Sequence, residues 1–101
     1  MGKLVRDRIP EIMRAKGLEP ETRVLDESEY LQSLFAKLLE EAGELRDADV
    51  DKRLEEAADV YEVLLATLAA LGVTMDDLTR TAEDKRVERG GFADRIWLER
   101  W

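Results

Sequence analysis

The chain has 101 residues, 24 acidic against 16 basic for a net charge of −8, and neither cysteine nor histidine. That removes disulfides, thiolate nucleophiles, imidazole bases and zinc held by sulfur or nitrogen; any metal must be a hard cation on oxygen ligands, Mg²⁺ first and Mn²⁺ next. The acidic balance opposes nonspecific contact with nucleic acid, and no run of about 18 apolar residues or signal-peptide pattern points to a membrane.

The expectation is a soluble, cytoplasmic, all-α domain over 1–101, with neither nucleic acid nor membrane as partner. It is small enough that self-association would help to bury its apolar surface.

In chain order, Lys3-Leu4-Val5-Arg6-Asp7-Arg8-Ile9-Pro10-Glu11-Ile12 interleaves apolar and charged residues. Pro10 suits the first turn of a short helix, and Gly17 ends it. Lys3, Arg6 and Arg8 read either as a solvated basic terminus or as cations for a phosphate. Leu18 to Leu25 reads as a loop or a short extended piece. Asp26 with Glu29 forms a capping-box pattern that starts a long helix running to about Arg46.

Asp47 to Asp51 is an acidic connector, and a third helix runs from about Asp51 to Leu71 and closes at Gly72. It is apolar on more than one side, which calls for cover, most simply from a second subunit. Thr67 is its polar exception, with the hydroxyl expected to bond back to the carbonyl one turn earlier. Thr74 and Asp77 cap a fourth helix, Met75 to about Arg89, ended by Gly90-Gly91. The tail from Phe92 to Trp101 carries both tryptophans and should dock, as helix or strand, on its own or a neighbouring subunit.

The two long helices carry an anomaly. In the first, Leu31, Leu34, Leu38, Ala42 and Leu45 share one stripe, and Glu41 lies only about 60° off Leu38, with Glu44 about 60° further round. In the second, Ala57, Val60, Leu64, Leu68 and Leu71 make the stripe, with Glu56 on its flank and Asp59 about 60° beyond. Glu55 and Glu62 sit away from that stripe and read as ordinary surface charge.

Carboxylates on apolar flanks are costly unless paired or metal-bound. The plain reading of the four acids is interhelical ion pairs with Arg and Lys. All four together, at i, i+3 spacing on consecutive helices, favour a divalent cation that resolves their mutual repulsion. A di-iron carboxylate bundle is excluded by its missing Glu-x-x-His elements. Mg²⁺ held by carboxylates commonly binds substrate phosphates and activates water, so phosphate-ester or phosphoanhydride hydrolysis follows. Lys85, Arg86 and Arg89 before Gly90-Gly91 are either a dipole-favoured helix end or a basic anion nest.

Lys37-Leu38-x-Glu40-Glu41-x-x-Glu44 followed by Glu56-x-x-Asp59 resembles the signature of the all-alpha nucleoside triphosphate pyrophosphatases, the MazG-like superfamily that includes phosphoribosyl-ATP pyrophosphohydrolase. The segment from Lys3 to Ile12 and Lys85-Arg86-x-x-Arg89-Gly90-Gly91-Phe92 are similar to the ends of its short house-cleaning branch.

This resemblance implies a MazG-like four-helix bundle, assembled as a homodimer or dimer of dimers, that cleaves a nucleoside triphosphate to monophosphate and pyrophosphate. It implies Mg²⁺ on Glu41, Glu44, Glu56 and Asp59, with Glu40 beside Glu41 in catalysis, orienting or deprotonating the attacking water. Lys37, Lys3, Arg6, Lys85 and Arg89 are then the candidates for substrate contact. Only eleven residues separate Glu44 from Glu56, at the short edge for that superfamily, which trims any base-selecting loop there. The alternatives are a phosphoribosyl-ATP pyrophosphohydrolase and a non-catalytic helical interaction module.

Overall fold

The computed structural model describes residues 2–101. Four α-helices account for the regular structure: α1 (Ile9–Ala15), α2 (Glu27–Asp47), α3 (Arg53–Ala70) and α4 (Met75–Arg89), with a 3₁₀ turn at Val50–Lys52. No strand occurs among the described residues, and 18–25, expected as loop or short extended chain, is coil. The chain is all-α.

The helix starts follow from side-chain caps. Asp26 Oδ1 accepts from the Glu29 N–H at 2.8 Å, and Glu29 returns a carboxylate oxygen to the Asp26 N–H. Thr74 and Asp77 repeat the reciprocal pair at α4, so each start satisfies donors that the helix leaves without internal partners. At the other end, Gly72 (φ 73°) and Gly90 (φ 81°) stop α3 and α4 in a left-handed backbone conformation that side chains with a Cβ resist.

The third helix departs from expectation. Lys52 N–H donates to the Asp49 carbonyl at 2.9 Å, so the chain takes one tight 3₁₀ turn before the α-helix begins at Arg53 rather than Asp51.

Helix packing is concentrated between α2 and α3, and the short connection between them makes them an antiparallel hairpin. The seam is narrow. Leu34 is 2 % exposed, and the other buried side chains among the described residues are Thr67 and Glu41; Leu38, Val60, Val63 and Leu64 are half-buried beside them. The Thr67 hydroxyl donates to the Val63 carbonyl at 2.8 Å, as expected of a helical threonine in an apolar setting.

Large apolar side chains remain uncovered: Phe35 and Leu39 on α2, Leu54 and Tyr61 on α3. Round each helix they lie on the side of the seam opposite to the acids. Because the helices run antiparallel, the two sets share one face of the hairpin, and Glu41, Glu56 and Asp59 share the other.

Between α3 and α4 the chain turns through 110°, carrying α4 away from the hairpin. The molecule measures 54 × 34 × 25 Å with a radius of gyration of 17.5 Å, against about 13 Å for a compact chain of this length. The tail does not dock on its own chain: Phe92, Ile96, Trp97 and Trp101 are almost wholly exposed. It is turn and coil rather than the helix or strand expected of it. No single helix is long and apolar enough to cross a membrane.

Candidate active site

The acids flanking the two apolar stripes converge across the α2–α3 seam. One carboxylate oxygen each from Glu41, Glu56 and Asp59 lie within 4.8 Å of one another. Helix periodicity brings this about: Glu41 and Leu34 share the buried side of α2, while Glu56 and Asp59 follow each other at i, i+3 along the facing side of α3. Glu44, one turn further along α2, is exposed and stands outside this trio, although its charge still acts on Glu41.

Three acids this close repel, and the neighbouring cations answer only part of that. Lys37 Nζ stands 3.4 Å from Glu41 Oε1 and 3.7 Å from Glu40 Oε2. Arg6, reaching in from the N-terminal arm, donates from Nη2 to Asp59 Oδ1 at 2.6 Å. Burial pushes the Glu41 carboxyl above its ordinary range, the charge of Glu44 adds to the rise, Lys37 opposes it and Asp59 reinforces it.

Glu41 Oε2 and Glu56 Oε2 are buried with no hydrogen-bond partner. An orphaned buried carboxylate oxygen is costly. Two of them, beside a third acid and with no sulfur or imidazole nearby, make a donor set that suits a hard divalent cation.

A cavity of about 260 Å³ adjoins the trio. Tyr30, Leu34, Val63 and Ala66 line it from the helices, Leu4 and Val5 from the arm, and Arg6, Asp7, Lys37, Glu41, Asp59 and Glu62 supply its charges. Glu62 is exposed, as expected of surface charge, and also lines this cavity beside Asp59. The stripe that sets azimuth on α3 marks only the side toward α2 and carries no information about an arm lying along the other flank. Tyr30 and Asp7 line the cavity too, and the sequence marks them only by the charged and apolar alternation around Asp7.

The remaining candidates disperse. Lys3 lines a smaller cavity with Gly2, Leu4, Ser33, Ala36, Lys37 and Glu40. Glu40 is exposed on α2 beside Lys37. Lys85 and Arg89 lie on exposed turns of α4 and line neither cavity; within one chain they are not brought to the acids. Gly90 acts as a C-cap, its N–H donating to the Arg86 carbonyl at 2.8 Å.

The model of the family described as phosphoribosyl-ATP pyrophosphohydrolase matches residues 7–86, which include the acid trio, the hairpin and most of α4. A Mycolicibacterium smegmatis protein described as uncharacterized is 55 % identical over 56 residues, 54 % of this chain. The chain spans 57 % of the length of that relative. No solved structure matches.

Proposed function

Because the chain belongs to the phosphoribosyl-ATP pyrophosphohydrolase family, within the MazG-like all-α pyrophosphatases, we propose that it is a Mg²⁺-dependent nucleoside triphosphate pyrophosphohydrolase that clears noncanonical or excess nucleotides. The observation that carries this reading is the trio Glu41, Glu56 and Asp59 with its two partnerless buried oxygens. Such a site is incomplete without a cation. Mn²⁺ is the expected substitute for Mg²⁺.

In this reading Glu41, Glu56 and Asp59 hold the ion and Glu44 joins from the next turn. A bound divalent ion neutralises phosphate charge and lowers the pKa of bound water. Glu40 orients the attacking water and takes its proton. The water oxygen bonds to phosphorus as the phosphoanhydride P–O bond breaks, and pyrophosphate leaves with that bonding pair. Lys37 and Arg6, already at the rim, meet the polyphosphate; Lys3 lines the smaller cavity that shares Lys37. Lys85 and Arg89 serve only if contributed by another subunit.

The working form is a homodimer or a dimer of dimers, and its support is the bare apolar face of Phe35, Leu39, Leu54 and Tyr61. A partner's hairpin on that face completes a bundle of four long helices, the economical way to cover it. A cytoplasmic location accords with the absence of any helix long and apolar enough to cross a membrane.

A second reading, hydrolysis of phosphoribosyl-ATP, is favoured by the family description itself. One experiment tests both. Pyrophosphate and phosphate release is measured with Mg²⁺ from ordinary, oxidised, deaminated and methylated nucleoside triphosphates and from phosphoribosyl-ATP, beside Glu56→Gln. Pyrophosphate lost in the variant establishes the reaction and names the substrate. Silence across the panel from folded protein sinks the enzyme reading in favour of a helical interaction module.

A further inference from the structure

The N-terminal arm, coil through residues 2–6, is tied to α3 by one ion pair, Arg6 Nη2 to Asp59 Oδ1 at 2.6 Å across 53 positions of sequence. Leu4 and Val5 are half-buried beside it, and the same stretch walls the cavity next to the acids. An isolated surface pair of this kind has little consequence. This one differs because its carboxylate belongs to the trio that the metal reading requires.

We infer that Arg6 is an exchange residue: it is the counter-ion of Asp59 in the metal-free site and moves to the substrate's polyphosphate once a divalent cation takes Asp59. The inference rests on the proposed pyrophosphohydrolase reading and deepens it. The guanidinium now answers one of three mutually repelling carboxylates, as Lys37 answers Glu41. A dication among Glu41, Glu56 and Asp59 brings two positive charges within a few ångström of Arg6, where like charges repel.

The guanidinium then has to leave Asp59, and the polyphosphate offers anionic oxygens in the planar, two-pronged geometry that Arg matches. Since Arg6 sits on coil, its departure costs no helix. Moving it also shifts Leu4 and Val5, so metal occupancy opens the cavity beneath the arm as it frees the phosphate ligand.

Exchange has a signature that a merely structural ion pair lacks, because the two roles of Arg6 have opposite signs. Binding of Mn²⁺ alone, and then of inorganic triphosphate supplied as its Mn²⁺ complex, is measured by calorimetry on the parent chain and Arg6→Gln. Trypsin cleavage of the arm after Lys3 is followed in parallel. Arg6 is on the surface, so the variant folds.

Expected is ~5-fold tighter Mn²⁺ binding by Arg6→Gln, the reciprocal of the competition, together with about tenfold weaker triphosphate binding. Cleavage of the arm rises when Mn²⁺ is added to the parent. Equal Mn²⁺ affinities, or losses in both titrations, overturn the exchange role while leaving the metal site standing. Mn²⁺ binding by neither protein overturns both the exchange and the metal reading, and Asp59→Asn, which removes a ligand outright, separates that outcome by losing Mn²⁺ affinity only where a site exists.

Discussion

Lys37 Nζ lies 3.4 Å from Glu41 Oε1, one turn apart on α2, and this is the contact that makes a buried carboxylate tolerable at the hairpin seam. Glu41 has Glu44 and Asp59 as like-charged neighbours, so removing the lysine leaves a buried acid facing only repulsion. Lys37→Met is therefore expected to cost about 1–3 kcal/mol in metal-free protein, measured by urea denaturation. The gap between variant and parent narrows in millimolar Mg²⁺, because a bound ion takes over the neutralisation. A gap that Mg²⁺ leaves unchanged counts against an ion at Glu41.

The acids of α3 provide an internal comparison, but Glu62 is the wrong control because it lines the cavity with Asp59. Glu55 is the right one: it is exposed and its carboxylate stands 3.7 Å from Lys52 Nζ, on the solvent side. Glu56→Gln is expected to lower pyrophosphate release by on the order of 100-fold or more, at least as much as the loss of an outer-shell partner, with Glu55→Gln within about twofold of the parent, as for a surface charge. Equal losses would remove Glu56 from the site.

Much of this molecule is legible in its sequence because the signals are local. Asp26 with Glu29 and Thr74 with Asp77 mark helix starts by chemistry confined to four consecutive residues, and Gly72 and Gly90 mark ends by backbone conformation alone. The convergence of Glu41, Glu56 and Asp59 is legible from periodicity, since a carboxylate beside an apolar stripe must approach whatever that stripe packs on.

What escapes is set by non-local placement. Nothing in Leu4-Val5-Arg6-Asp7 specifies that this coil lies over Tyr30 and Val63, so Arg6 is readable as a cation but its partner Asp59 is not. The tail's aromatics announce a need for cover without saying where it lies. Phe92, Ile96, Trp97 and Trp101 find none on their own chain.

Arg23 and Glu29 give a pH dependence remote from the acid trio. Arg23 Nη2 donates to Glu29 Oε2 at 2.8 Å, and this bond, with the Asp26 N–H also donating to the carboxylate, holds the Glu29 carboxyl down at about 2 from a usual 4.5. A depressed folded value means that the charged form is favoured by folding. The contribution is complete above the unfolded value and disappears as pH falls through the folded one. In Arg23→Ala the Glu29 midpoint, followed by carboxyl-carbon NMR, is expected to rise toward 4.5. The stability difference between parent and variant present at neutral pH closes between 4.5 and about 2. A midpoint that stays put would transfer the effect to the Asp26 cap.

The bare face of the hairpin yields the last prediction. Leu39 is 78 % and Leu54 83 % exposed, each on a helix whose other side carries the acids, and Phe35 and Tyr61 extend the same apolar surface. Leu34 is the one buried apolar side chain among the described residues, a small core for two long helices, so we expect a second copy on that face to supply much of the stability. Leu39→Lys places a charge in the middle of it.

Sedimentation is expected to give a multiple of the 11.6 kDa chain mass for the parent. Leu39→Lys sediments as a single chain or loses its helical signal at micromolar concentration, whereas Val24→Lys, on exposed coil away from the hairpin, keeps the parent's mass. Trp97 and Trp101 report in the same samples. Their emission is that of solvated indole for as long as the tail stays free, and shifts to the blue on association only when the partner is what covers the tail. A parent that sediments as one chain with a full helical signal would mean the hairpin stands on its narrow seam alone, and the second copy would lose its support.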